Sequence, residues 1–371
     1  MSPSARWAAV ARQAADGTGV GAGSKVLVLV NHERAADALA ALADEVYRRG
    51  ARLQVLWAGG RLDQAALAHA PLAMLEESPY LEEQATRWAD VQIELRAMVP
   101  PSRAAVDSDR LAALRRMRGR LSGLRWQETR WTILRVPTPE WAHLAGVPFA
   151  ALEAEFFEGC LAPWGTLRRR WADLARTLGG ARTVRIADED GSLDLDVTGR
   201  TWAVNAGESN LPDGEVYTAP VETATRGRIT FPGRFWFGEA EVADLRLEFE
   251  AGRVVRVEAE RGAGFVRAIV DSDAGSARVG ELGIGLNAAM RTLAGDLLID
   301  EKVPGTVHIA LGRAYPECGG VNASAIHWDI VKDLRARGAR NGGDLLIDGA
   351  PLIAGGALAG ALGAAVNGTG G

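Results

Sequence analysis

Few folds can accommodate the run Lys25-Val26-Leu27-Val28-Leu29-Val30. Its β-branched and aliphatic residues offer no polar face, so a strand built from them has to be covered on both sides. From Ala35 to Arg49 apolar residues recur at helical spacing, and Gly50 stands where a helix C-cap belongs. Leu53–Trp57, Val91–Leu95 and Trp131–Val136 read as further strands, with an Arg-rich helical stretch at Leu111–Arg120. Strands alternating with helices predict an α/β domain whose sheet is doubly wound and mostly parallel.

This N-terminal domain, residues 1–180, is expected to be Rossmann- or flavodoxin-like in layout. The glycine-rich stretch Gly17-Thr18-Gly19-Val20-Gly21-Ala22-Gly23 precedes the first strand. A dinucleotide fingerprint follows a strand and opens a helix, so this stretch is read as a loop. From about Ala181 the texture changes to short alternating strands: Thr183–Ile186, Leu193–Val197 and Leu245–Phe249. The turn Ala251-Gly252-Arg253 then leads into Val254–Glu258 as a hairpin. Residues 181–371 are therefore expected to form an α+β domain with mostly antiparallel strands. The Gly/Ala-rich tail from Ala354 to Gly371 reads as a mobile end or a short packed segment.

A net charge of -5 argues against nucleic acid or an anionic membrane surface as the main partner. The two cysteines, Cys160 and Cys318, are too few for a disulfide framework and match no zinc-finger spacing. Neither a signal-peptide core nor a run of 18 apolar residues is found, and a cytoplasmic protein is the expectation.

Chemistry-bearing residues gather between Glu281 and Asp329, where two of the chain's five histidines fall. Histidine, glutamate and aspartate are the donors a Zn²⁺, Mn²⁺ or Co²⁺ centre selects, and carboxylates bridge the ions of a two-metal centre. His327 and Asp329 stand at i and i+2, on one face of a strand. Taken singly, each candidate has an ordinary explanation. An H-x-D pair is commonly a surface pair, and His308 between Val307 and Ile309 fits a histidine hydrogen-bonded at a sheet edge. Glu281, in E-L-G-I-G-L-N, is a solvated turn residue unless it is buried, and burial then demands a partner or a metal. Glu301 in Asp300-Glu301-Lys302, and Glu215 after a Pro-Asp-Gly turn, fit turn carboxylates. What carries weight is their joint occurrence in one domain. Two of the three lysines, Lys302 and Lys332, lie close to these residues in sequence.

The segments N-L-P-D-G-E-V-Y-T-A-P, A-E-R-G-A-G-F-V, V-G-E-L-G-I-G-L-N, D-E-K-V-P-G-T-V-H-I-A-L-G-R-A-Y and S-A-I-H-W-D-I-V-K-D occur in this order over roughly residues 205 to 350. They resemble the thermophilic metallo-aminopeptidase family. The resemblance implies a metallo-aminopeptidase acting on peptide substrates through a water activated by two divalent metal ions, Zn²⁺, Co²⁺ or Mn²⁺. It implies Glu215, Glu281, His308, His327 and Asp329 as metal ligands, with Glu281 bridging. Glu301 matches an acid that serves as a further ligand or general base, either Glu281 or Glu301 is implied to take the water's proton, and Tyr315 matches the family's active-site tyrosine. A homodimer enclosing the active site is implied as well. Two departures are visible: the Glu301–His308 interval is longer than the D-E-N-x-x-C-H form of the founding members, and the His308–His327 loop is short.

Two alternatives belong to other classes. One is a ring-cleaving dioxygenase of the dihydroxypyridine type, with a single Fe²⁺ on two histidines and one carboxylate. The resemblance implies for that branch a histidine where Glu281 stands and no equivalents of Glu215 and His308. The other is a binding homologue without catalysis. His32, His69 and His143 are read as strand-end, helix, and helix or turn residues, and Trp126, Trp131 and Trp141 as core or domain-interface anchors.

Overall fold

Val26, Leu27, Val28, Leu29 and Val30 are all at most 6% exposed, which shows how fully the strand Lys25–Val30 is covered. The computed structural model describes residues 2–101 and 107–367. Lys25–Val30 pairs in parallel with Arg52–Trp57 on one side and Val91–Ala97 on the other. Arg130–Val136 and the short Asn210–Leu211 extend this five-stranded sheet, again in parallel. The helix after the first strand runs Ala36–Arg48, preceded by a 3-10 turn at Glu33–Ala35. Gly50 follows at φ +70°, a left-handed residue that lets the backbone close the helix end through Gly50 N–H to Tyr47 O (2.9 Å). The Arg-rich helix extends over Ser108–Glu128, well beyond the core stretch visible in the sequence. Arg52–Trp57, at the sheet's edge, is the least covered of the long strands, with Trp57 57% exposed.

The sheet's third strand carries a charge into the interior. Glu94 is 7% exposed and accepts from Arg96 Nε (2.7 Å), Gln92 Nε2 (3.1 Å) and the buried Arg125 guanidinium. Arg125 in turn lies over the Trp131 ring, 4.4 Å from its centroid. Burial alone would raise the Glu94 carboxyl, but the two guanidiniums overcome it and hold the group at about 2.

The chain separates into two compact units, Met1–Ala162 with Gly207–Asp213, and Pro163–Ala206 with Gly214–Gly371. Both remaining sheets lie in the second unit and both are antiparallel, as the alternating patterns predict. One has eight strands, including the Ala240–Glu250 and Arg253–Glu258 hairpin, with Thr183–Asp188 and Gly191–Asp196 further in. The other has five and carries the candidate site. The tail adds a strand, Ala357–Leu358, and a helix, Gly360–Asn367, in which Val366 is buried. That part of the tail is a packed segment. No described helix is long and apolar enough to cross a membrane. His32 caps the 3-10 turn by accepting from Arg34 N–H (3.2 Å), while His69 and His143 sit in helices Arg61–His69 and Pro139–Ala145.

Candidate metal centre

The five-stranded antiparallel sheet runs in the order His327–Asp333, Thr306–Gly312, Val279–Gly285, Glu215–Thr218, Ala203–Asn205. Residues directly opposite one another in such a sheet point to the same side. Glu281 pairs with Ala310, and Ala310 with Asp329; Gly283 pairs with His308; Gly285 pairs with Glu215, and Glu215 with Asn205. Glu215, Glu281, His308, His327 and Asp329 therefore project from one face. The alternation of His327–Asp333 sends Trp328, Ile330 and Lys332 to the opposite face. There Lys332 donates to Thr230 O (2.7 Å) and pairs with Asp188, so this lysine takes no part in the cluster.

Small residues make the room. A Cβ on Gly283 would stand 2.1 Å from His308 Cε1 and 2.2 Å from its Nε2, so only glycine lets the imidazole lie across the neighbouring strand. Gly283 of E-L-G-I-G-L-N thus belongs to the site itself.

Glu281, 4% exposed, faces an imidazole with each oxygen: Oε1 is 3.4 Å from His308 Nε2 and Oε2 is 3.3 Å from His327 Nε2. His308 Nε2 also lies 3.7 Å from Glu215 Oε2, and His327 Nε2 lies 3.5 Å from Asp329 Oδ1. His327 Nδ1–H donates to Arg313 O (2.8 Å), which fixes that tautomer and leaves Nε2 directed at the carboxylates. Asn205 Nδ2 donates to Glu215 Oε1 (2.7 Å) and anchors it from the next strand. Glu301, just after the short helix Leu297–Asp300, joins the cluster with Oε2 buried and without a hydrogen-bond partner. Tyr315 packs edge-on against His327, with ring centroids 5.0 Å apart, and against Tyr217 at 5.7 Å. His327 and Asp329 are partly exposed, whereas Glu215, Glu281, Glu301 and His308 are buried, so the cluster opens to solvent at His327 and Asp329.

Three overlapping donor groups result, each with ligand atoms within 4.8 Å of one another: Glu215, Glu281, His308; Glu281, His327, Asp329; and Glu301, His308, Asp329. Crowding shifts the titration of these groups in opposite directions. Burial, together with the charges of Asp329 and Glu215, pushes the Glu301 carboxyl up to about 8, although Lys302 opposes this. Burial would lower His308, but its hydrogen bond to Glu281 and the surrounding carboxylates raise it to about 10. Glu281 moves the other way, to about 2, because its two imidazole contacts outweigh its burial. Four carboxylates and an orphaned Glu301 oxygen fit a divalent cation by the chemistry of the donor set.

Sequence reasoning noted Lys302 near the site without giving it a place there, and missed Asn205. Lys302 is fully buried with Nζ 2.7 Å from both Glu215 Oε2 and Glu301 Oε1. The only available signal was its adjacency to Glu301. For Asn205, set by cross-strand register, the sequence holds no local signal.

A sheet whose face gathers imidazoles and carboxylates at these distances has the makeup of a metal-dependent hydrolase. The sequence matches the thermophilic metalloprotease (M29) family over residues 5–356, and the chain belongs to that family of peptide-bond hydrolases. It is 28% identical over 324 residues to aminopeptidase T of Thermus thermophilus, covering 76% of this chain and 78% of that protein. It is 24% identical over 343 residues to aminopeptidase 2 of Geobacillus stearothermophilus, with 78% and 82% covered. The structure of wild-type AmpT from Thermus thermophilus shares the fold, with a TM-score of 0.77 over 96% of this chain and 99% of that one, at 24% identity. A 2,5-dihydroxypyridine dioxygenase from Pseudomonas putida also shares the fold, at a TM-score of 0.57 and 14% identity over 97% and 98% of the two chains.

Proposed function

We propose that this protein is a metal-dependent aminopeptidase that removes N-terminal residues from peptides. Membership of a metalloprotease family, relatives named aminopeptidases and the carboxylate–imidazole cluster support the reading. The observation that carries it is Glu281, with one oxygen on each of two imidazoles. A carboxylate so placed suits bridging of two adjacent divalent ions, Zn²⁺, Co²⁺ or Mn²⁺. Glu215 and His308 would complete one side, His327 and Asp329 the other, and Glu301 would add a donor beside His308. When bound, such ions polarise a scissile carbonyl and bring the pKa of a water toward neutrality.

The chain's own residues then orient the substrate and move the proton. Glu301 is our choice for the carboxylate that takes the water's proton and passes it to the leaving amine, because its Oε2 is unengaged while both Glu281 oxygens face imidazoles. Tyr315, held against His327, is assigned to donate a hydrogen bond to the tetrahedral oxyanion. The side open at His327 and Asp329 is where the peptide's end would approach. A single iron on two histidines and one carboxylate would leave three of the four acids outside its coordination, which favours hydrolysis over ring cleavage.

The test is to strip the protein with a chelator, reload it with Zn²⁺, Co²⁺ or Mn²⁺, and assay peptides with free and acetylated N-termini. Amino-acid release that returns with metal, from free termini only, is the expected result. No release under any loading, or one iron per chain with oxygen uptake on a dihydroxypyridine, defeats the proposal.

Gly283→Ala tests the His308 assignment separately. The new Cβ must displace the imidazole, and metal affinity is expected to fall by about 10- to 100-fold, the range seen when a ligand loses its orientation. Wild-type affinity in an isothermal titration would remove His308 from the ligand set.

A further inference from the structure

Tyr217 stands two residues after Glu215 on the strand Glu215–Thr218, so both side chains project from the ligand-bearing face. Gly283 pairs with Tyr217 on one side and with His308 on the other, which sets Tyr217 in one row with the imidazole that lies across Gly283. The residue is 8% exposed and its neighbours are small: it packs with Ala203, Ala219, Ala314 and Cys318. A Cβ on Gly320 would stand 2.5 Å from Ala314 Cβ and 2.8 Å from Ala219 Cβ, so this seat is closely filled. Thr218 Oγ1 donates to Thr201 O (2.8 Å) and ties the strand down further.

Tyr315 comes from a different kind of element. It follows the strand Thr306–Gly312 on the connection to His327–Asp333, and it is partly exposed. Its carbonyl accepts from Cys318 N–H (3.1 Å) and Gly320 N–H (3.2 Å), which fixes the turn. Those bonds hold the main chain but do not set the side-chain torsions. The Tyr315 ring packs edge-on against Tyr217, with centroids 5.7 Å apart and the planes at 67°. It meets His327 at 5.0 Å and 62°. Both contacts have the edge-to-face form that aromatic pairs favour. Of the two partners, His327 lies at the open side of the cluster, whereas Tyr217 is buried on a strand. A side chain on a loop is placed less precisely than one on a strand, and about 1 Å of misplacement can cost some 10²-fold in rate.

We infer that Tyr217 is a positioning residue for Tyr315: its buried ring carries the precision of the sheet to the phenol on the rim, and so holds the Tyr315 O–H where a tetrahedral oxyanion needs it. The inference rests on the aminopeptidase reading and on Tyr315 as the donor. Tyr217 acts through its ring and touches no reacting atom. Loss of that ring lowers kcat and leaves metal binding in place, since Glu215 keeps its own anchor in Asn205.

The experiment compares Tyr217→Phe, Tyr217→Ala, Tyr315→Phe and the Tyr217→Ala/Tyr315→Phe pair as full-length, Mn²⁺-loaded proteins on one peptide with a free N-terminus. Tyr217→Ala is expected to lower kcat by at least about tenfold, with KM and metal content within about threefold of wild type. Tyr217→Phe, which keeps the ring, is expected to rescue kcat to within about threefold of wild type. The double variant should be no slower than Tyr315→Phe alone, because the donor that Tyr217 places is already gone. A second readout needs no activity. The chain has four tyrosines, so ring-labelled tyrosine gives few magnetic-resonance signals, and that of Tyr315 is the one lost in Tyr315→Phe. Tyr217→Ala should speed the ring flips of Tyr315, and Tyr217→Phe should not. Wild-type kcat or unchanged ring flips in a folded Tyr217→Ala protein overturn the inference. So does a loss in Tyr217→Phe equal to that in Tyr217→Ala, or additive losses in the double variant. Should Tyr217→Ala fail to fold, Tyr217→Leu takes its place in every arm. Any of these results with an active wild type overturns this inference alone, whereas a wild type that releases no amino acid under any metal loading overturns the aminopeptidase reading with it.

Discussion

Glu281→Gln is expected to cost at least about 10³-fold in kcat/KM, some 4 kcal/mol of transition-state stabilisation, together with most of the bound metal. Glu281 meets both imidazoles, at 3.4 and 3.3 Å, and it belongs to two of the three donor groups. An amide of the same shape keeps the packing but offers a neutral oxygen to one side and an N–H₂ to the other. One side of the centre then loses its acceptor, and the shared negative charge is gone. The loss is expected at every metal concentration tested, because a missing bridge cannot be restored by mass action alone. Metal content, kcat/KM and far-ultraviolet circular dichroism on the same preparation form the check. A folded Glu281→Gln protein with wild-type metal content and activity within tenfold of wild type sinks the bridging assignment.

The second large effect lies in the parallel-sheet unit. Glu94→Gln is expected to destabilise that unit by about 3 kcal/mol at pH 7, since it leaves the buried Arg125 without its carboxylate. The pH dependence has a definite sign. The folded carboxyl, at about 2, lies below its ordinary value of 4.5, so its contribution is complete above about pH 4.5. That contribution disappears as pH falls from about 4.5 to about 2, and the difference between wild type and variant should shrink over the same window. Denaturant unfolding of metal-stripped protein at several pH values, with hydrogen exchange at Ile93 and Leu95, measures it. A difference that stays constant from pH 7 down to pH 2 rules out the charge as its source.

Much of the architecture could be read from the chain because it depends on local periodicity. A polar-free run of aliphatics demands cover on both faces, and Lys25–Val30 has it. An i, i+2 spacing puts two side chains on one face, and His327 and Asp329 lie within 3.5 Å of each other. The ordered motifs likewise pointed to the family that the match over residues 5–356 shows. The Leu111–Arg120 stretch understated its helix, which starts at Ser108 and runs on through Leu121 and Arg125 to Glu128, where Ser122, Gly123 and a buried Arg125 break the apolar pattern and packing arises only in the fold.

Convergence is another matter, because it depends on pairing between strands distant in sequence. Nothing local to His308 says that it lies opposite Gly283, or that this glycine is required by the imidazole crossing it. Lys302 and Lys332 look equivalent along the chain, each near an acid and a histidine. Pleat and register separate them: one ammonium lies between Glu215 and Glu301, the other on the reverse face against Thr230 and Asp188. The chain alone determines which residue types are present and which local periods they follow, since those are properties of neighbours in sequence. Only the tertiary structure decides which carboxylates share an imidazole and which cation stands among them, since side-chain direction alternates with every residue and register is set by long-range pairing.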